Sequence, residues 1–216
     1  MKFFTNLALA LTLFSGTAYA VPSLQLDIQG GFYDSVPEDI VTNDPSFDVY
    51  AIAKGSTANF DVDYTLVVTV EGDAPTGSIM INNTQVDASD FTPGQPSGLA
   101  PHGIFPAPYY EVDFKFSTAN RIAKYDTAEI TGNPAGMIDS NGENVYQMFS
   151  IDTSGLTSNS SLHFDLYGNG RFAPYSHDAS FVPPTVPPTD APFGASAFML
   201  SFMVMTSAVV RRKMTA

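Results

Sequence analysis

From Phe60 to Val70 the chain alternates without a break. Phe60, Val62, Tyr64, Leu66, Val68 and Val70 fall on one side, and Asp61, Asp63, Thr65, Val67 and Thr69 on the other. Successive side chains of an extended strand point to opposite faces, so this period of two predicts a β-strand with one face buried. The pattern recurs in Leu24, Leu26 and Ile28, in Phe47, Val49 and Ala51, in Tyr110, Val112, Phe114 and Phe116, and in Leu162, Phe164 and Leu166. Val145, Gln147, Phe149 and Ile151 make a further strand with less clear facing. Ile79-Met80-Ile81 and Thr84-Gln85-Val86 flank Asn82-Asn83, a pair that tolerates the positive φ of a two-residue hairpin turn. Nothing between residues 21 and 181 keeps a helical period for three turns. Strands without intervening helices exclude a parallel α/β sheet, so the expected fold is all-β, an antiparallel β-sandwich of about eight strands.

Composition narrows the function classes. A chain that is 44% hydrophobic and 12% aromatic can fill a core, so disorder is excluded. The absence of Cys excludes disulfides, a thiolate nucleophile and thiolate-ligated zinc or iron–sulfur sites. Residues 21–181 hold 21 acidic side chains against five basic ones, which argues against nucleic acid as a partner and gives divalent cations somewhere to bind. Between Phe91 and Pro108 five Pro and three Gly surround His102, and an irregular stretch of that length inside a compact domain points to a functional loop.

Both ends have the composition of processing and anchoring segments. Residues 1–20 carry Lys2, an apolar run from Leu7 to Phe14, and Ala18-Tyr19-Ala20, the small-x-small pattern that signal peptidase accepts. The expected cleavage leaves Val21 as the first mature residue. Residues 182–192 contain Val-Pro-Pro-Thr twice in tandem and are expected to be an extended linker. Residues 193–210 are apolar and uncharged, at the short end of what spans a bilayer, and the basic tail 211–216 opens on Arg211, Arg212 and Lys213. The expected topology puts the 21–181 domain outside the membrane and the tail in the cytoplasm.

Several strings within the domain resemble a known family. They are LQLDIQGGFYD from Leu24 to Asp34, LAPHGIFP from Leu99 to Pro106, LHFDLY from Leu162 to Tyr167 and FAPYSHDA from Phe172 to Ala179. Together they are similar to the choice-of-anchor N family of bacterial exported proteins, in which a common β-rich domain is joined to alternative C-terminal sorting signals. The resemblance spans residues 24–179 and implies surface display without an assigned activity. The tail is similar in layout to PEP-CTERM sorting signals, which implies an exosortase-like partner. Val-Pro-Pro-Thr, twice, stands where that class has Pro-Glu-Pro.

Three His lie inside those strings. His163 and Asp165 are two apart on one strand and share a face. His177-Asp178 follows after the turn at Gly168-Asn169-Gly170, and His102 sits in the long loop. Imidazole nitrogen with carboxylate oxygen is a ligand set that zinc accepts, so His102, His163, Asp165, His177 and Asp178 form a candidate metal site; the competing reading is a set of polar residues bracing loops. Asp139, Asn141 and Glu143, with Gly142 between the last two, form a candidate calcium loop, against which stands a plain Asx turn. Asp61/Asp63 and Glu111/Asp113 read as solvated strand faces, not as a glycosidase pair. No nucleophile elbow, phosphate loop, dinucleotide fingerprint or His-Glu-x-x-His is present, and no catalytic residue is assigned. Three functions stay open: a non-catalytic structural or matrix-associated surface domain, which leads; a module binding extracellular polysaccharide through Tyr such as Tyr109 or Tyr167; and a metal-dependent surface enzyme built on the His/Asp residues. A divalent cation is the one cofactor the pattern leaves room for.

Overall fold

The computed structural model describes residues 23–36, 39–72, 75–100, 103–123, 132–156, 160–174 and 178–184. They contain no α-helix, only 3-10 turns at Ala88–Asp90 and Pro134–Met137 between the strands. The strands are β1 (Leu24–Ile28), β2 (Phe32–Asp34), β3 (Asp39–Thr42), β4 (Ser46–Lys54), β5 (Tyr64–Glu71), β6 (Ser78–Ile81) and β7 (Thr84–Asp87). Then come β8 (Thr92–Gly94), β9 (Ala107–Phe114), β10 (Arg121–Ile122), β11 (Asn144–Asp152), β12 (Ser161–Gly168), β13 (Arg171–Phe172) and β14 (Ala179–Phe181). They form two sheets. One runs β1-β4-β11-β6-β7, with β10 added on β11. The other runs β2-β3-β14-β12-β5-β9-β8, with β13 added on β12.

The core lies between the sheets and is made by the alternating residues. Leu24, Leu26 and Ile28 of β1, Phe47, Val49 and Ala51 of β4, and Phe149 and Ile151 of β11 come from the first sheet. Leu66, Val68 and Val70 of β5, Leu162, Phe164 and Leu166 of β12, and Phe181 of β14 come from the second. Phe47 bridges them, edge-on to Phe164 and stacked on Phe181, with ring centroids 5.8 Å apart in each pair. Aromatic pairs at such separations add to what area burial alone supplies. The predicted hairpin is β6–β7, in register from Ser78 opposite Asp87 to Ile81 opposite Thr84. Asn82 and Asn83 at its tip have φ of 49° and 65°, as a type I′ turn requires.

The all-β sandwich expectation holds, with three corrections. First, the described residues form more strands than about eight. The added ones, β2, β3, β8, β10, β13 and β14, are two to four residues long, too short to carry a periodic signal. Second, the sandwich is not wholly antiparallel: β14 pairs with β3 in parallel, Ala179 opposite Ile40 and Ser180 opposite Val41. Third, β5 starts at Tyr64 instead of Phe60, and both its faces are buried. Asn59 ends the alternation locally, because its side chain accepts the Asp61 N–H in an Asx turn. Thr65, Val67 and Thr69, on the face away from the core, are nonetheless buried, as are Gln25 and Asp27 of β1.

A loop covers the outer face of the second sheet beside Tyr167. Beyond β8 the chain turns at Gln95–Ala100 and lies on that face, with Pro96 and Leu99 buried. Gly98 sits so close to the Tyr167 ring that a Cβ there would come within 2.2 Å of it. Among the described residues no helix is long and apolar enough to cross a membrane. The signal segment with Ala18, Ala20 and Val21, and the apolar segment with Arg211, Arg212 and Lys213, lie outside the described residues.

Candidate functional site

Strand β12 sets the site. Leu162, Phe164 and Leu166 face the core, so alternation sends His163, Asp165 and Tyr167 to the outer face of the second sheet. His163 stands opposite Ser180 of β14 on one side and Thr69 of β5 on the other. The parallel pairing of β14 with β3 adds Asp39, and the Ile40 N–H donates to the carbonyl of Asp178 at 3.2 Å. His163, Asp165 and Asp178 are each 2% exposed and Asp39 is 3% exposed.

The two nitrogens of His163 have different surroundings. Nδ1 is 3.2 Å from Ser180 Oγ and 3.5 Å from Asp39 Oδ2, and the Ser180 hydroxyl donates to that same Asp39 oxygen. Asp39 Oδ1 accepts the Ile40 N–H at 3.0 Å, which fixes the carboxylate. Nε2 is 3.4 Å from Asp165 Oδ1 and 3.8 Å from Asp178 Oδ2. One ligand atom from each of His163, Asp165 and Asp178 lies within 4.8 Å of the other two. Asp178 Oδ1 is buried and has no hydrogen-bond partner among the described residues.

The electrostatics follow from burial and charge crowding. Burial alone would pull the His163 imidazole down, but hydrogen bonding to Asp165 and Asp39 and the charges of Asp165 and Asp178 outweigh it. The ring is held well above the ordinary histidine range. Burial pushes the Asp178 carboxyl well above the usual carboxylate range, helped by the charges of Asp165 and Asp39 and opposed by His163.

A polar network continues along the same face. The Tyr167 hydroxyl donates to Glu111 Oε1 at 2.6 Å, and the Thr65 hydroxyl donates to Asp113 Oδ1 at 2.7 Å. Burial, with the bond to Glu111, pushes the Tyr167 phenol up to about 12. Glu111 and Asp113 are exposed, as expected of a solvated face, and they also accept hydrogen bonds that link β9 to β12 and β5. Asp61 and Asp63 do lie exposed, with Lys115 Nζ 3.9 Å from Asp63. Beside Tyr167 opens a cleft of about 550 Å³, lined among others by Asp63, Gly98, Asn169, Arg171 and the half-exposed ring of Phe172.

Of the five residues expected to share one metal site, the structure brings together His163, Asp165 and Asp178. His102 and His177 lie outside the described residues. Asp39 and Ser180 were not legible as members. Asp39 opens a four-residue strand with no motif around it, and its contact depends on a parallel pairing that no local pattern announces. Asp139, Asn141 and Glu143 lie in an exposed loop. Asp139 Oδ1 accepts the Asn141 N–H at 2.9 Å, and the Glu143 carbonyl accepts the Gly55 N–H at 3.2 Å. The bond from Asn141 to Asp139 is that of an Asx turn.

The fold and site define a class: an acidic β-sandwich domain with a buried His–Asp cluster on the outer face of one sheet. No family model matches the chain, and no curated protein matches it. Among solved structures the chain has a likeness to the major pilin subunit of Bacillus cereus. The identity is 9%, 75% of this chain is covered and 40% of the pilin chain, and the TM-score is 0.23. The chain thus spans well under half of the pilin, and a likeness at that score carries no argument about the site.

Proposed function

We propose that the protein is an exported, surface-displayed domain with a non-catalytic structural or matrix-associated role, sorted or anchored through residues 193–213. The observation that carries the non-catalytic reading is the burial of the His163 cluster. A side chain 2% exposed cannot meet a polymer at the surface, so the densest chemistry of the domain acts on the domain itself. Export and anchoring rest on the residue patterns at 1–20 and 193–213, and the kinship with choice-of-anchor N proteins rests on the four strings. Signal peptidase and an exosortase-like enzyme are the partners this reading implies. The test is fractionation of the producing cell. The full chain should sediment with membranes, and a chain stopped before Val182 should move to the soluble or secreted fraction with its fold intact. A truncated chain that aggregates would make the apolar segment part of the core and end the reading.

A specific observation favours a second reading, an extracellular polysaccharide-binding module. The cleft beside Tyr167 joins two aromatic rings, Tyr167 and Phe172, to Asp63, Asn169 and Arg171, the mix of flat apolar and hydrogen-bonding groups that sugars use. A glycan array with the wild-type chain and a Phe172→Ala variant tests it: array binding lost in the variant supports the module, and an empty array rejects it.

A further inference from the structure

The Nε2 side of His163 has the spacing of a ligand cage. Asp165 Oδ1 and Asp178 Oδ2 stand 3.4 and 3.8 Å from Nε2. Two ligands of a tetrahedral zinc ion, each bonded at about 2.0–2.1 Å, lie about 3.3–3.4 Å from each other. The two spacings from Nε2 are therefore close to those of groups gathered around a cation, and the three ligand atoms lie within 4.8 Å of one another.

Three further features agree. The Nδ1 side of the ring is turned to Ser180 and Asp39, and Asp39 is itself pinned by the Ile40 N–H. A carboxylate behind a ligating histidine fixes its tautomer and leaves Nε2 to face the metal. Asp178 Oδ1 is buried without a hydrogen-bond partner among the described residues, which leaves a carboxylate oxygen available. Three buried acidic side chains also gather around one imidazole, and burying a charge is costly unless something of opposite sign joins it.

We propose that His163 Nε2, Asp165 and Asp178 bind a zinc ion that ties β12 to the start of β14, with Asp39 and Ser180 as positioning residues behind the imidazole. The nitrogen ligand sets the site apart from calcium and magnesium, which take oxygen alone. The lack of Cys removes soft thiolate ligands and leaves a borderline ion of the zinc type. Burial makes the role structural, because an ion held only by the folded arrangement of these three side chains adds its binding energy to folding. The proposal does not rest on export or anchoring.

The test uses the full chain, stripped with chelator, dialysed and titrated with Zn²⁺. One equivalent per chain should bind, and the unfolding midpoint should rise by about 5–10 °C at a hundredfold excess over Kd. Asp178→Asn should weaken binding at least tenfold, and Asp39→Asn about 10–100-fold. Asp139→Asn, in the exposed turn, should leave binding unchanged. Uptake far below one equivalent, or equal uptake by wild type and Asp178→Asn, would overturn the proposal; the latter identifies zinc held loosely by the acidic surface. Should Asp178→Asn fail to fold, X-ray absorption of the zinc-loaded wild type decides instead. Imidazole scattering beside oxygen at about 2.0 Å supports the site, and an all-oxygen shell overturns it.

Discussion

At the residue scale, the outer face of the second sheet is held by side-chain bonds that alternation alone would send to solvent. Tyr167 is the simplest to test, because one atom, its hydroxyl, joins β12 to Glu111 of β9. Tyr167→Phe keeps the ring against Gly98 and removes the bond. The bond is partly exposed, so the loss should be modest, about 0.5–1 kcal/mol by urea unfolding near neutral pH. The pH dependence carries a sign. The unfolded phenol titrates near 10 and the folded one at about 12. Between those values the folded state holds a proton that the unfolded state has lost. The stability contributed by this shift is complete below about pH 10 and is lost as pH rises through about 12. The wild type should therefore lose stability faster than Tyr167→Phe on going from about pH 9 to about pH 11. Parallel curves for the two proteins would mean that the phenol is not shielded as the geometry requires.

At the element scale, the β6–β7 hairpin separates two roles that the sequence presents as one. Asn82 and Asn83 both have positive φ, where Gly has no steric penalty. Asn82 also accepts the Ser150 N–H of β11 through its side chain at 2.9 Å, so it ties the hairpin to the sheet. Asn83 has no such bond among those described. Asn83→Gly should leave stability unchanged or raise it by a few tenths of a kcal/mol, since Asn-Gly is the favoured type I′ pair. Asn82→Gly should lower it by about 1 kcal/mol through the lost bond. Equal effects at the two positions, in chemical denaturation, would show that the side-chain tie is not formed. The same contrast explains what was legible. The hairpin and the long strands β4, β5, β9 and β12 announce themselves because each holds several inward residues in strict alternation, and β11 does so less clearly because Gln147 interrupts its apolar side. Strands β3 and β14 do not, because three or four residues carry one alternation at most and their parallel pairing joins Ile40 to Ala179, far apart in the chain. The candidate site inherits that limit. His163 and Asp165 share a face by local periodicity and could be paired from sequence, whereas Asp39 reaches them only through β3 and β14.

At the scale of the whole molecule, the sandwich itself limits how far the N-terminus can be trimmed. Strand β1 begins at Leu24, and the carbonyl just before it, that of Ser23, accepts the Lys54 N–H at 3.0 Å. Cleavage after Ala20 would spare all of this, and cleavage a few residues later would cut into it. Leu24, Leu26 and Ile28 are each at most 2% exposed and pack in the central core. Burying each such side chain is worth about 1.5–3 kcal/mol, so the three together approach the whole stability of an ordinary domain, about 5–15 kcal/mol. Beginning the chain at Val21 should therefore leave the unfolding midpoint of the domain within about 2 °C of the value for the full chain, because every described core residue is kept. Beginning it at Gln29 removes β1, exposes the edge of β4 and should abolish cooperative unfolding. N-terminal sequencing of the exported protein supplies the independent reading, with Val21 expected first. A mature N-terminus beyond Leu24, or a cooperative transition in the chain that starts at Gln29, would mean that β1 is not an integral strand of the first sheet.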